Sequence, residues 1–298
     1  MEKVAIQSLV KGYSIETTAR EAERIDKFTD IVPAGTRLYI VHVPGTHLAE
    51  TVVLAARLRR EGLEPVPHIV ARHIETFAKL DDFLARLHSD AGVSQALVVA
   101  GDKAPPVGEI HSTLQILESG ILDKHQIRTV GVAGHSEGHP TVPDDLLRDA
   151  LRRKNDYARK TGANVYIVTQ FVFAAKPVID WEKSHGADIG QLPIRVGLPG
   201  LASVRTLLKY ARDCGVGNSI HALAKRGASL AKLLTVSAPD DILLELARYR
   251  SSNPHTRING VHFFPFGGFK RTADWANNIV AGNFDLTVDG LKVSSTGS

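Results

Sequence analysis

The sequence predicts an α/β fold, a closed (β/α)8 barrel of TIM type with extra helices before the last strand. Short runs rich in β-branched residues alternate with longer helical patterns along all 298 residues, as in repeated βα units around a parallel sheet. The strand-like runs number about eight, and the length lies near the roughly 250 residues plus insertions that such a barrel uses. No Gly-x-Gly-x-x-Gly follows an early run, which sets aside an open doubly wound dinucleotide-binding sheet.

In chain order, strands are expected at residues 13–17, 38–43, 64–70, 96–100, 128–133, 164–170, 192–198 and 260–266. After the second, Leu48, Val52, Ala55 and Leu58 share one helical face; Phe77, Leu80, Leu84 and Leu87 do so after the third. Thr141, Pro143, Asp144 and Asp145 open a helix after the fifth, because proline suits the first turn and carboxylates suit the positive end of the helix dipole. Val204, Leu207, Leu208 and Ala211 form the face that follows the seventh. From Cys214 to Tyr249, helical patterns around Leu230, Leu233 and Leu234 and around Ile242, Leu243 and Leu246 succeed each other with no strand between. These are the extra helices, and their apolar face suits a cleft cover or a contact in a homo-oligomer. With no Gly/Ser/Pro-rich linker, residues 1–298 read as a single catalytic barrel that ends in a disordered polar tail, 291–298.

Composition narrows the function. Hydrophobic residues at 43% and charged ones at 23% match a globular average and exclude disorder. Lys plus Arg at 36 against Asp plus Glu at 32 is too small an excess to suggest nucleic acid. The basic clusters at 57–60 and 152–154 fall in amphipathic patterns, where solvated faces explain them, although the second could meet anionic cofactor groups. No apolar run approaches the roughly 20 residues that span a bilayer, and no signal-type segment opens the chain, so a cytoplasmic protein without a membrane partner is expected. Cys214, the only cysteine, excludes an internal disulfide framework and a thiolate-rich metal site.

In such barrels the chemistry gathers at the C-terminal ends of the strands. There the chain places Glu16, His42 with Pro44-Gly45-Thr46-His47, His68 and Arg72, Gly101-Asp102-Lys103, His135-Ser136-Glu137-Gly138-His139, Thr169-Gln170 and Pro199-Gly200. Period-two alternation puts Ser14, Glu16 and Thr18 on one face. If that face is the lumen, Glu16 is a partly buried carboxyl with a raised pKa, suited to general acid work; its competing use is as a helix cap before Ala19. His135, Glu137 and His139 would resemble a catalytic metal set if extended. Gly134, Gly138 and Pro140 instead make the segment a loop that fits a cofactor contact, so no metal is expected.

Val99-Ala100-Gly101-Asp102, Gly131-Val132-Ala133 with Glu137-Gly138-His139-Pro140, Gly162-Ala163-Asn164 with Val168-Thr169-Gln170-Phe171-Val172-Phe173, and Gly197-Leu198-Pro199-Gly200 follow one another along the chain. In their order and approximate spacing the chain resembles the 5,10-methylenetetrahydrofolate reductases, from Ser14 to His262-Phe263-Phe264. The resemblance implies a flavin-containing barrel in which NADH or NADPH reduces FAD, leaves, and is replaced by methylenetetrahydrofolate. It makes Glu16 the general acid that opens the folate ring, Asp102 the carboxylate that stabilises the cationic iminium, and Gln170 the amide that orients the folate, with Phe171 and Phe173 on the substrate side. It places His68, Gly101, Asp102 and His139 against the flavin, and Lys154 or Lys160 on it as the family's flavin-binding lysine.

The departures from the family also lie on the flavin side. Ala100 stands where the family has arginine, His135 and His111 stand where it has tyrosines, the second loop is short, and Thr17-Thr18-Ala19 replaces an aromatic-proline motif. They admit a flavin-free barrel that passes hydride directly from NAD(P)H to the folate, or a folate-binding or flavin-binding module without turnover. Outside the resemblance stands a metal-dependent hydrolase or lyase built on His135, Glu137 and His139. Phe263, Phe264, Phe266 and Phe269 could stack on a pterin or fill the barrel.

Overall fold

The eight apolar runs become parallel strands because each is covered on both faces, by the lumen inside and the helices outside. The computed structural model describes residues 2–102, 104–213, 216, 236–287 and 290–293. Its strands are β1 (Ser14–Thr18), β2 (Arg37–Val41), β3 (Glu64–Val70), β4 (Gln95–Val99), β5 (Thr129–Gly134), β6 (Asn164–Phe171), β7 (Ile194–Pro199), β8 (Ala202–Ser203), β9 (Val236–Ser237), β10 (Ile258–Phe264), β11 (Phe284–Thr287) and β12 (Gly290–Val293). The barrel closes in the order β1-β10-β7-β6-β5-β4-β3-β2, a TIM-type α/β fold, with each expected strand displaced by two residues or fewer. β10 stops at Phe264 because Pro265 has no N–H to continue the ladder.

Two packed zones follow from the alternation. Outward-facing Ile15, Leu38, Ile40, Ile69, Val98, Val132, Ile167 and Val196 join the main core beneath the helices. Inward-facing Tyr39, Val66, Leu97, Tyr166 and Val168 form a separate lumen cluster, in which the Tyr39 and Tyr166 hydroxyls meet at 2.5 Å. This layer plugs the barrel below its mouth, so a ligand enters from the C-terminal rim. Helices Leu48–Arg60, Phe77–Ala91, Asp144–Thr161 and Val204–Asp213 lie where their apolar faces predict.

Two expectations change. Val236–Ser237, in the interval expected to hold no strand, pairs antiparallel with Ala202–Ser203. Helix Asp240–Ser252 buries Ile242, Leu243 and Leu246 as expected, whereas the pattern around Leu230, Leu233 and Leu234 lies outside the described residues. Residues 291–293, assigned to the polar tail, instead pair with β11 and bury Leu291 while Lys292 faces out, an alternation a tail would not need; residues 294–298 lie outside the described residues. Among the described residues, no helix is long and apolar enough to cross a membrane.

Candidate active site

Ser14 and Glu16 face the lumen at the end of β1, beside His262 of β10, where barrel closure pairs Ser14 with His262. Ser14 Oγ lies 2.9 Å from His262 Nδ1, and His262 Nε2 lies 3.4 Å from Glu16 Oε2. The His262 ring rests on Tyr39, with centroids 4.4 Å apart, and meets Phe264 edge-on at 4.8 Å. The Glu16 side chain is 15% exposed and that of His262 1%. Burial lifts the Glu16 carboxyl to about 7, aided by Glu21 and opposed by His68. The helix after β1 is capped by Thr18, whose Oγ1 accepts from Glu21 N at 3.1 Å, so Glu16 is not the cap.

Histidines surround this acid. Burial holds His68 down to about 4, with the nearby Glu16 charge opposing, and His262 down to about 3. Both are therefore neutral near pH 7. The rings of His42 and His73 sit 5.4 Å apart. Among the described residues, His42 Nδ1, His68 Nε2 and His73 Nε2 are buried without a hydrogen-bond partner, the condition a polar ligand group relieves.

Asp102 stands on the same rim, 93% exposed, its Oδ1 3.5 Å from His73 Nε2, an ion-pair contact that leaves that nitrogen without a hydrogen-bond partner. Gly101 brings it there: its φ is +87°, and a Cβ would lie 2.4 Å from Val70 Cγ1, so the loop hugs β3 only without a side chain. His111 is exposed, and its carbonyl accepts from Arg72 Nε at 3.0 Å.

The register of β6 against β7 shifts between Val168 and Phe171, a bulge that re-aims side chains at the rim. Gln170 emerges there half-buried, its Oε1 accepting from Phe171 N at 3.1 Å. Phe171 and Phe173 do not face a ligand as expected. The residues beyond the bulge turn into a second apolar cluster with Ala202, Val204 and Leu207, leaving Phe171 1% exposed. The rim aromatics are Phe264 and Phe266, both partly exposed, while Phe263 and Phe269 fill the core. Phe266 holds a φ of +50°, a conformation costly to a bulky side chain, and stacks on Tyr210 at 4.4 Å.

In the fifth loop, burial holds His135 down to about 4, helped by the charges of Lys154 and His139. The rings of His135 and His139 meet edge-on at 5.1 Å. Among the described residues, no three His, Cys, Asp or Glu side chains are placed to hold a metal. A cavity of about 420 Å³ opens beside His135, outside the mouth, lined by Ser136, Asp144, Lys176, Trp181 and His185.

No family model matches the sequence. Among solved structures the chain is similar to an uncharacterized protein from Clostridium thermocellum that binds two copies of 5-methyl-5,6,7,8-tetrahydrofolic acid, with 11% identity over 89% of this chain and 97% of that one and a TM-score of 0.49. It is also similar to a xylose isomerase domain containing protein from Salmonella typhimurium LT2, with 14% identity over 91% and 94% of the two chains and a TM-score of 0.42. Both likenesses are distant.

The two lysines separate. Lys160 occupies the last turn of helix Asp144–Thr161, just before β6 begins. That helix returns to the N-terminal ends of the strands, so Lys160 lies at the end of the barrel opposite the expected cofactor. Lys154 is 7% exposed, its Nζ donates to Ala133 O at 2.9 Å, and burial lowers it to about 8 from 10.5. Because the folded state gives up this proton more readily than the unfolded chain, the cost is fully present below about pH 8 and disappears as pH rises toward 10.5. Lys154→Met is therefore expected to stabilise the protein at pH 7 by about 1–2 kcal/mol, net of the lost bond. It should flatten the rise in stability between pH 8 and 10.5, read from urea unfolding, and should leave unchanged any binding of NADH that the unaltered chain shows. Weakened dinucleotide binding would return Lys154 to the cofactor.

His262 and His73 escaped sequence reasoning. The alternation through Gly260, His262 and Phe264 was the available signal for His262; His73, in a short turn after β3, carried none.

Proposed function

We propose that the chain reduces 5,10-methylenetetrahydrofolate to 5-methyltetrahydrofolate with NADH or NADPH, FAD being the relay that the family resemblance implies. The observation that carries this is Glu16, a carboxyl buried at the foot of an open rim and lifted to about 7. Near neutral pH it can give and retake a proton. Its proton goes to a ring nitrogen of the folate as that nitrogen's bond to the methylene carbon breaks, leaving a cationic iminium. Hydride then reaches the methylene carbon, the nicotinamide supplies the two electrons and is oxidised, and the Glu16 carboxylate recovers a proton from solvent. Because burial keeps His68 and His262 neutral, no imidazolium opposes the iminium cation. Asp102 adds a favourable negative charge at the rim, and the Gln170 amide nitrogen remains to orient the pterin.

The residues fit FAD in part. The buried His68 nitrogen without a partner and the close backbone at Gly101 suit the flavin ring. The lysines do not suit its diphosphate, since Lys160 lies at the wrong end and Lys154 is bonded to Ala133 O. This lysine placement favours, as the alternative, direct hydride transfer from NAD(P)H to the folate.

The test is the visible absorption spectrum of the purified protein with excess FAD, then with NADH, then with methylenetetrahydrofolate. Flavin bands that bleach with NADH and return with the folate support the relay. A colourless protein that still oxidises NADH only when the folate is present supports direct transfer. Absence of folate-dependent NADH oxidation in both forms overturns the proposal.

A further inference from the structure

Glu16 has two carboxyl oxygens, and an acid delivers its proton usefully from only one of them. Oε2 faces His262 Nε2 at 3.4 Å, while His262 Nδ1 faces Ser14 Oγ at 2.9 Å. Ser14 is fully buried and His262 nearly so. A neutral imidazole carries one ring proton for these two neighbours, so two arrangements exist. In one, the Ser14 hydroxyl donates to Nδ1 and Nε2–H donates to Oε2, leaving the acid proton on Oε1. In the other, Glu16 donates from Oε2 to Nε2, Nδ1–H donates to Ser14, and the acid proton is turned into the barrel wall.

We propose that Ser14 and His262 are positioning residues that hold Glu16 in the first arrangement, so that its acid proton sits on Oε1 and faces the substrate. This rests on Glu16 acting as the acid proposed above. The arrangement serves the whole cycle: once Oε1 has lost its proton, the same Nε2–H becomes a charge-assisted donor to the carboxylate. It also opposes burial, because a donor to the charged form lowers the pKa of an acid. The charged and titratable groups facing the unit are His68 from β3 and Glu21 from the helix after β1, both against Glu16, and Arg195 from β7 and Tyr39 from β2 against His262; His42 faces His68 in turn. A histidine serving only as packing would have no need for both nitrogens to be engaged.

The experiment compares the full chain with His262→Gln, whose side-chain amide nitrogen can stand near Nε2, with His262→Leu, which has no donor, and with Ser14→Ala, which releases the tautomer. Glu16 is titrated by NMR of ¹³C-labelled glutamate carboxyls, its signal assigned by its loss in Glu16→Gln. The pH dependence of kcat for NADH-driven methylenetetrahydrofolate reduction is measured alongside. In His262→Leu the Glu16 midpoint is expected to rise by about one pH unit and kcat to fall by about 10–100-fold with KM little changed. His262→Gln should restore most of both, and Ser14→Ala should fall between. An unmoved Glu16 midpoint in His262→Leu, or equal kcat losses in the Gln and Leu variants, overturns the inference. If His262→Leu does not fold, an unmoved midpoint and wild-type kcat in Ser14→Ala do the same. Absence of reductase activity in the unaltered chain defeats the proposed function instead, and the NMR titration still decides whether the pair governs Glu16.

Discussion

Glu16→Gln is expected to lower the rate of the proposed methylenetetrahydrofolate reduction by about 10²–10⁴-fold, the usual contribution of a positioned acid, and, where FAD is taken up, to leave its reduction by NADH unchanged. Equal loss of both half-reactions would remove the acid role. In the unaltered chain, kcat of the proposed reaction is expected to fall as pH rises through about 7, where Glu16 loses the proton that the proposed acid must donate. Stability moves with the same group. Its folded pKa of about 7 lies above the ordinary 4.5, so between these values the folded state keeps a proton that the unfolded chain has lost. Stability from this group is fully present below about 4.5, falls as pH rises to about 7, and is level above. Glutamine keeps the shape and stays neutral, so the variant should be more stable at pH 8 by up to about 3 kcal/mol and close to unchanged at pH 4.5. Denaturant unfolding at the two pH values measures this; equal stability of the two proteins at pH 8 would mean that the carboxylate is not desolvated. Activity and stability thus make opposite demands on one buried side chain.

Gly197→Ala is expected to destabilise the barrel by about 2–3 kcal/mol and to lower kcat of the proposed reaction by about 10²-fold. A Cβ at Gly197 would lie 2.5 Å from Thr169 O and 2.8 Å from the Gln170 carbonyl, and backbone cannot step aside as a flexible side chain does. Gly197 N also donates to Thr169 Oγ1 at 2.9 Å, and Gly197 O accepts from Val172 N at 3.1 Å, so the glycine lies in the hollow of the β6 bulge. Separating β7 from it moves Gln170. Gly186→Ala, where an added Cβ meets nothing within 4 Å, is the control that should change neither quantity. Thermal unfolding and steady-state kinetics on both variants distinguish them; a Gly197→Ala protein with wild-type kcat would dissociate the bulge from the chemistry.

The strands, the helix faces and the inward carboxyl of Glu16 were legible because each depends on neighbours a few residues away. Alternation set which side chains of β1 share a face, and the capping box of Thr18 and Glu21 is a four-residue pattern. The differences lie where distant parts of the chain meet. Phe171 and Phe173 were expected on the ligand side because uninterrupted alternation was assumed through a segment that bulges. Lys160 looked available because sequence proximity to Lys154 hides a helix that carries it to the far end of the barrel. The chain stays ordered past residue 291 because β11 supplies a partner strand for Leu291, an isolated apolar residue in the sequence.

By itself the sequence determined the eight strands, the polar rim and the carboxyl at Glu16, since periodicity and turn chemistry are local properties of the chain. The tertiary structure alone decided the company Glu16 keeps. His262 is 246 residues away along the chain and reaches Glu16 only because β10 closes the barrel against β1. The same closure removes both from water. An acid poised near neutrality is thus the product of a local pattern that turned a glutamate inward and a global closure that desolvated it beside uncharged imidazoles.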